Sequence, residues 1–192
     1  MVAAVVKRRT ASGILLLVVL FSPALGVAQT STLRTATLIA RLMAYDRALA
    51  SRAGKSLTIA IVHSRKNASE GNEHFAAFSR LKTFSIQGLR LQSIKIAYVG
   101  EKELAAQIKA HGVDVLFVCS GLSHAVPAIS RTAKKGRALT TYADPSYTKK
   151  GLAVGVVTQN GKSRVIIHLS NAKAQGALLA SSLLRIATVI GR

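Results

Sequence analysis

Residues 149–190 read KKGLAVGVVTQNGKSRVIIHLSNAKAQGALLASSLLRIATVI, and this stretch decides the fold. Two apolar, β-branched runs, Gly151 to Thr158 and Ser163 to Leu169, flank the pair Asn160-Gly161. Asn-Gly is preferred in a two-residue type I′ turn because both central residues need a positive φ. The segment therefore predicts an antiparallel β-hairpin.

The residues after the hairpin predict a long helix from about Ala172 to Ile190. Ser170 and Asn171 are good N-cap types. The apolar residues that recur on one helical face are Leu179, Leu183, Ile186 and Ile190. A hairpin followed by a helix with one apolar face cannot bury itself, so both are expected to cover elements upstream.

Upstream of the hairpin, helical and strand patterns alternate along the chain. The predicted helices run from about Thr32 to Ala53, Glu73 to Phe84, Gly100 to His111 and Ser123 to Lys135. The predicted strands are Leu57 to His63, Ser93 to Val99, Val113 to Cys119 and Arg137 to Tyr142. This order predicts a single three-layer α/β domain over residues 29–192, with helices on both faces of a mainly parallel sheet of about five or six strands. The hairpin is expected to add an antiparallel edge.

Residues 1–28 have the pattern of a cleaved signal peptide. Lys7-Arg8-Arg9 is a basic start, Gly13 to Phe21 is an apolar run, and Gly26-Val27-Ala28 offers small residues for cleavage. The apolar run is shorter than the roughly 20 residues that span a bilayer. We therefore expect export to the periplasm, and an uncleaved N-terminal anchor is the alternative.

The chain is strongly basic. It carries 27 Lys and Arg against 7 Asp and Glu, and removing the three basic residues of the leader leaves 24 against 7, a formal charge of +17. The cations are scattered and export separates the protein from cytosolic nucleic acid, so we predict no nucleic-acid partner. An anionic envelope surface is one interpretation of this charge, and solubility without a specific partner is the other.

The sequence predicts no enzyme, metal site or cofactor. Its five histidines lack ligand spacing, and Ser120-Gly121 lacks the Gly-x-Ser-x-Gly frame of a nucleophile turn. Cys119 is the single cysteine; it reads as a buried small residue, with an intermolecular bridge as the alternative. The loop with Ser120, Gly121 and Ser123 follows a parallel strand and precedes a helix. It is therefore a candidate ligand rim with anion-binding N–H groups, or simply a turn and cap.

The C-terminal stretch resembles the signature of the YfiR family, exported bacterial regulators of cyclic-di-GMP synthesis. The matching positions are Gly151, Asn160, Gly161, Arg164, Ile167, Gly176, Ser181, Leu183, Leu184, Arg185 and Ala187, with Leu139-Thr140-Thr141 and Tyr147 upstream. The chain lacks the cysteine pairs of several members and departs from the pattern at Ala143, Leu152, Ile166 and His168.

The resemblance implies a regulatory binding protein that holds a membrane-bound diguanylate cyclase inactive through the exported sensor part of that enzyme. A periplasmic solute-binding or transport accessory protein is the alternative, and a homodimer is left open. Tyr147, Lys149 and Lys150 form a candidate partner-binding segment, because aromatic residues anchor interfaces and rim lysines tune association. In the competing interpretation, Tyr147 turns inward and covers the end of the sheet.

Overall fold

The computed structural model describes residues 24–159 and 161–191, in which helices and strands alternate. The helices are α1 Ala24–Met43, α2 Leu49–Ala53, α3 Ala68–Ser79, α4 Glu101–His111, α5 Val126–Gly136, α6 Leu169–Ala174 and α7 Ser181–Ile186. The strands are β1 Ser56–His63, β2 Ser85–Ile86, β3 Leu89–Ala97, β4 Val115–Val118, β5 Leu139–Tyr142, β6 Val154–Gln159, β7 Lys162–His168 and β8 Thr188–Ile190. The predicted signal peptide falls mostly outside these residues, and its cleavage stays a prediction.

One sheet contains all eight strands in the order β2-β3-β1-β4-β5-β6-β7-β8. Strands β3, β1, β4, β5 and β6 are mutually parallel, whereas β2 and β7 run antiparallel to their inner neighbours. The mainly parallel α/β sheet is confirmed, but the expected count of five or six strands is too low. The hairpin is not the edge either, because β8 pairs in parallel outside β7.

The sheet separates two apolar clusters, which confirms the three-layer arrangement. One cluster joins Ile59 and Ile61 of β1 to residues of α1 and α3, including Met43 and Phe78. The other joins the alternate β1 residues to α4 and α5, with members Ala60, Val62, Leu104, Ile108 and Ile129. Successive side chains of a strand point to opposite faces, so a strand covered on both sides is apolar throughout.

The predicted helix from Thr32 to Ala53 is interrupted. It ends at Met43, turns through Asp46 and resumes as α2, with Gly54 following at φ 65°. Tyr45, in the turn between the two helices, is 39% exposed. The interruption arises because Asp46 forms an antiparallel bridge with Leu179, far along the chain.

The predicted helix from Ala172 to Ile190 is wrong. Gly176 has φ 85°, a left-handed conformation that ends the first turns, and the chain then continues as α7 and β8. Tertiary hydrogen bonds hold this course, because the Leu178 N–H donates to Asp46 Oδ1 at 2.8 Å and the Arg47 N–H donates to the Leu178 carbonyl at 2.9 Å. Ser170 and Asn171 lie inside α6 and do not cap a helix.

Other boundaries shift by a few residues. Helix α3 begins at Ala68, five residues before its predicted start, because the Ser64 hydroxyl accepts the Asn67 N–H at 3.1 Å and initiates a 3-10 turn. Helix α5 begins at Val126 without a side-chain cap, so the expected Ser123 cap is wrong. The hairpin forms as predicted, and its turn residue Gly161 has φ 72°. Asn160 lies outside the described residues.

Candidate functional site

The carboxyl ends of β1 and β4 flank the topological switch point of the sheet. The chain leaves β1 toward β3 on one side, and β4 lies on the other side of β1. Loops that follow such strands diverge and form the crevice in which open α/β sheets bind ligands. The loop after β1 begins at Ser64 and the loop after β4 at Cys119, so the predicted Ser120 rim is placed there.

The structure places Ser120, Gly121 and Ser123 at this edge, but their loop is bonded within the protein. The Ser120 N–H donates to Glu70 Oε1 at 2.9 Å, and the Ser120 carbonyl accepts Asn67 Nδ2 at 3.2 Å. Gly121 has φ 77°, and a Cβ there would lie 2.7 Å from Asn67 Nδ2. The loop is therefore packed against the loop after β1, and its role as a ligand rim stays a prediction.

Tyr147 is turned inward against the loop after β4, as in the competing interpretation, and is not an exposed aromatic anchor. It is fully buried, and its ring centroid lies 6.2 Å from that of Tyr142. Its hydroxyl donates to the Cys119 carbonyl at 2.9 Å and accepts the Leu122 N–H at 2.8 Å. Burial raises the pKa of Tyr147 to about 12, so the phenol is neutral and able to donate at physiological pH.

Lys149 and Lys150 are exposed beside the buried ring of Tyr147. Lys150 Nζ donates to the Ser123 hydroxyl, which ties the candidate partner segment to the candidate rim. The cationic residues of the neighbouring loops, Arg65 and Lys66, are also exposed. The carboxyl edge therefore presents a basic surface, and the loops beneath it are hydrogen-bonded to one another. A partner-binding role for the two lysines stays a prediction.

Two potential reactive groups sit beneath this surface. The His74 ring packs at a tilt of 46° against Phe117, with a centroid distance of 4.3 Å, and burial lowers the pKa of His74, with Glu70 opposing. Burial also raises the pKa of the Cys119 thiol, again with a contribution from Glu70. A neutral imidazole and a protonated thiol fit a packed interior. In the part of the chain that the structure describes, no group of three or more His, Cys, Asp or Glu could hold a metal ion.

A cavity of about 850 Å³ opens at the opposite, amino-terminal edge of the sheet. It lies where β1, β4 and β5 begin and where α4 and α5 end, and its basic lining residues are Arg52, Lys109, Lys135 and Arg137. Local sequence patterns do not reveal this cavity, because its lining comes from three helices, α2, α4 and α5, and from the turns that follow them. The available signal was a basic residue in the last turn of both α4 and α5.

A buried ion pair lies beside this cavity. Arg52 Nη2 lies 2.7 Å from Asp46 Oδ2, and Arg52 Nη1 donates to the carbonyls of Asp114 and Arg137 at 3.1 and 2.8 Å. Asp46 is fully buried, and the Arg52 side chain is 7% exposed. The turn between α1 and α2 orients α2 so that the Arg52 side chain lies inward. The pair joins the N-terminal helices to the loops before β4 and β5.

The family model described as YfiR/HmsC-like matches residues 35–188, most of the chain. The protein belongs to the YfiR/HmsC-like family. Three glycines of the C-terminal pattern have backbone conformations that favour glycine in this YfiR/HmsC-like chain: Gly151 at φ 95°, Gly161 at φ 72° and Gly176 at φ 85°. No curated protein sequence matches the chain.

Three solved structures of similar fold illustrate the likeness. The ABC domain in complex with L-Trp from Streptococcus pneumonia has a TM-score of 0.56 and 13% identity, over 83% of this chain and 60% of that one. A conserved domain protein from Vibrio cholerae has a TM-score of 0.56 and 13% identity, over 82% of this chain and 59% of that one. The ligand-free, open form of a substrate binding protein with adhesive properties from Clostridium difficile has a TM-score of 0.52 and 15% identity, over 75% of this chain and 57% of that one.

At these identities the likeness shows the fold alone. The YfiR/HmsC-like chain spans about three-fifths of the length of each of the three structures. Among its described residues, no helix is both long enough and apolar enough to cross a membrane.

Proposed function

We propose that this protein is an exported regulatory binding protein that represses a membrane-bound diguanylate cyclase through the periplasmic sensor part of that enzyme. The observation that carries the proposal is the match to the YfiR/HmsC-like family over residues 35–188. A non-catalytic role agrees with the protonated Cys119 and the neutral His74, both packed in the interior. Export through residues 1–28 belongs to the same proposal.

The basic carboxyl edge is the surface we assign to the partner. Lys149 and Lys150 are exposed and extend from a rigid base, because Tyr147 beneath them is buried and bonded to two backbone groups. Clustered cations at the rim of an interface accelerate association with an acidic surface. An acidic patch on the sensor part would therefore be the complementary partner surface. Binding to an anionic envelope surface, and a homodimer, stay predictions.

Charge reversal tests this assignment in cells and with purified proteins. Lys149→Glu should raise cellular cyclic-di-GMP towards the level of a deletion strain and slow association with the purified sensor part. Lys55→Glu makes the same charge change at an exposed position on the opposite sheet edge and should repress normally. Unchanged cyclic-di-GMP in the deletion strain would refute the function, whereas equal effects of the two variants would refute only the assigned surface.

A periplasmic solute-binding or transport accessory role is the second candidate. The likeness to a substrate binding protein fold and the open cavity favour it. Native mass spectrometry of the protein purified from the periplasm separates the two candidates. A stoichiometric small molecule would favour solute binding, and a complex with the sensor part of a cyclase would favour regulation.

A further inference from the structure

The cavity at the amino-terminal edge of the sheet has an excess of positive charge. Four basic residues line it, and Asp114 is its single acidic lining residue. The charge of Arg52 is balanced by Asp46, which lies outside the lining at 2.7 Å. Within residues 24–159 and 161–191, Lys109, Lys135 and Arg137 make no ion pair. Three cations therefore line the cavity without a salt-bridge partner, and the one acidic side chain of the lining, Asp114, accepts the Thr58 N–H at 2.8 Å.

Arg137 is the most constrained of these cations. It adopts φ 53° at the end of α5, and Gly176 packs on it so closely that a Cβ there would lie 3.2 Å from Arg137 Nε and 3.5 Å from Arg52 Cδ. Two arginines are thus held side by side, although only one has a carboxylate. Like charges held together raise the free energy of the unliganded state, and a bound anion relieves that cost.

The remaining lining indicates what kind of anion fits. Ile108 and Val113 form an aliphatic wall, while Gly54, Gly112 and Gly136 expose main chain. Both α4 and α5 end here, and their caps already occupy two of the last four carbonyl groups of each helix, which leaves the last two of each for a ligand. Carbonyl oxygens accept hydrogen bonds from hydroxyl groups, and the volume lies in the range of small-ligand pockets. A bare inorganic ion would use neither the wall nor the carbonyl groups.

We propose that this cavity binds a small organic anion: a hydroxyl-bearing body of about sugar size that carries a phosphate or carboxylate group. Lys109, Lys135 and Arg137 bind the anionic group, and the helix-end carbonyls accept the hydroxyl groups. At the carboxyl edge, where this fold class commonly binds ligands, Tyr147 packs against the loop after β4, whereas this cavity opens at the amino edge. The site lies opposite Lys149, so it does not depend on the repression of a cyclase.

Isothermal titration of the purified protein tests the proposal with four probes: glucose 6-phosphate, glucuronate, inorganic phosphate and glucose. We expect at least one of the two sugar anions to bind with a Kd of about 1 mM or tighter, more tightly than inorganic phosphate and glucose. Binding of glucose 6-phosphate alone assigns a phosphate ligand, and binding of glucuronate alone assigns a carboxylate ligand.

Variants identify the site. Lys135→Gln and Lys109→Gln should each weaken the bound sugar anion about tenfold or more, because each removes a charged hydrogen-bond donor. Lys134→Gln is the matched control: it makes the same change one residue away, at an exposed position outside the lining. The proposal is overturned if neither sugar anion binds at about 10 mM, if inorganic phosphate binds as tightly, or if the control variant weakens binding equally.

Discussion

Replacing Tyr147 with Phe tests whether the phenol hydroxyl stabilises the loop after β4. The substitution keeps the ring, which is fully buried, and removes only the hydroxyl. Two backbone groups then lose their partner: the Leu122 N–H, at 2.8 Å, and the Cys119 carbonyl, at 2.9 Å. Both residues are 1% exposed, so water cannot easily replace the hydroxyl.

Each of the two unsatisfied buried groups costs about 1–3 kcal/mol, so Tyr147→Phe should lower the free energy of unfolding by about 2–6 kcal/mol. For a chain of this length, that loss corresponds to a decrease in Tm of about 4–24 °C. Tyr147→Ala adds the cost of an empty cavity and should exceed about 5 kcal/mol in total. Urea denaturation, followed by circular dichroism, measures both losses.

Tyr45→Phe is the matched control. Tyr45 is 39% exposed, and its hydroxyl makes no hydrogen bond among the described residues. Its removal should change stability by less than about 0.5 kcal/mol. If Tyr147→Phe lowers the free energy of unfolding no more than this control does, the hydroxyl does not stabilise the loop after β4 and the argument from its two hydrogen bonds fails.

Two further predictions concern buried charge. Arg52→Met should lower the free energy of unfolding by about 3–5 kcal/mol, because it leaves the carboxylate of Asp46 buried without a cation. Adding Asp46→Asn should recover part of that loss. Additive losses in a double-mutant cycle would contradict the pairing. Burial lowers the pKa of His74 below 6.5, so the unfolded chain takes up its proton first and stability falls as pH decreases through 6.5. His74→Leu should flatten this part of the stability curve, measured by denaturation at a series of pH values, and an unchanged slope would rule out His74 as its source.

Local pattern was sufficient where an element's own residues decide its conformation. The apolar run of β1 is buried along nearly its whole length because helices cover both faces of the strand. Helix α4 runs from Glu101 to His111, and Gly112 ends it in the left-handed conformation, as the sequence predicts. The hairpin of β6 and β7 follows from the same kind of information, a turn pair between two β-branched runs.

Local sequence patterns predicted only part of the candidate site. That Ser120 and Tyr147 lie at the same sheet edge follows from strand order, because carboxyl ends of parallel strands share an edge. Whether the Tyr147 ring points inward does not follow, since a turn of this composition suits either orientation. The backbone groups of Cys119 and Leu122, distant in sequence, decide the orientation by accepting from and donating to the hydroxyl.

By itself, the sequence determined the three-layer α/β class, the alternation of strands with helices and the family, because these depend on apolar periodicity and on glycines that turns require. Only the tertiary structure decided the two ends of the domain. A buried carboxylate, Asp46, binds Arg52 and the Leu178 N–H, and this single acceptor interrupts one predicted helix and helps to redirect another. Helical periodicity in residues 172–190 predicts one continuous helix, whereas the bond between Asp46 and the Leu178 N–H and the pairing of β8 with β7 decide where helix gives way to strand.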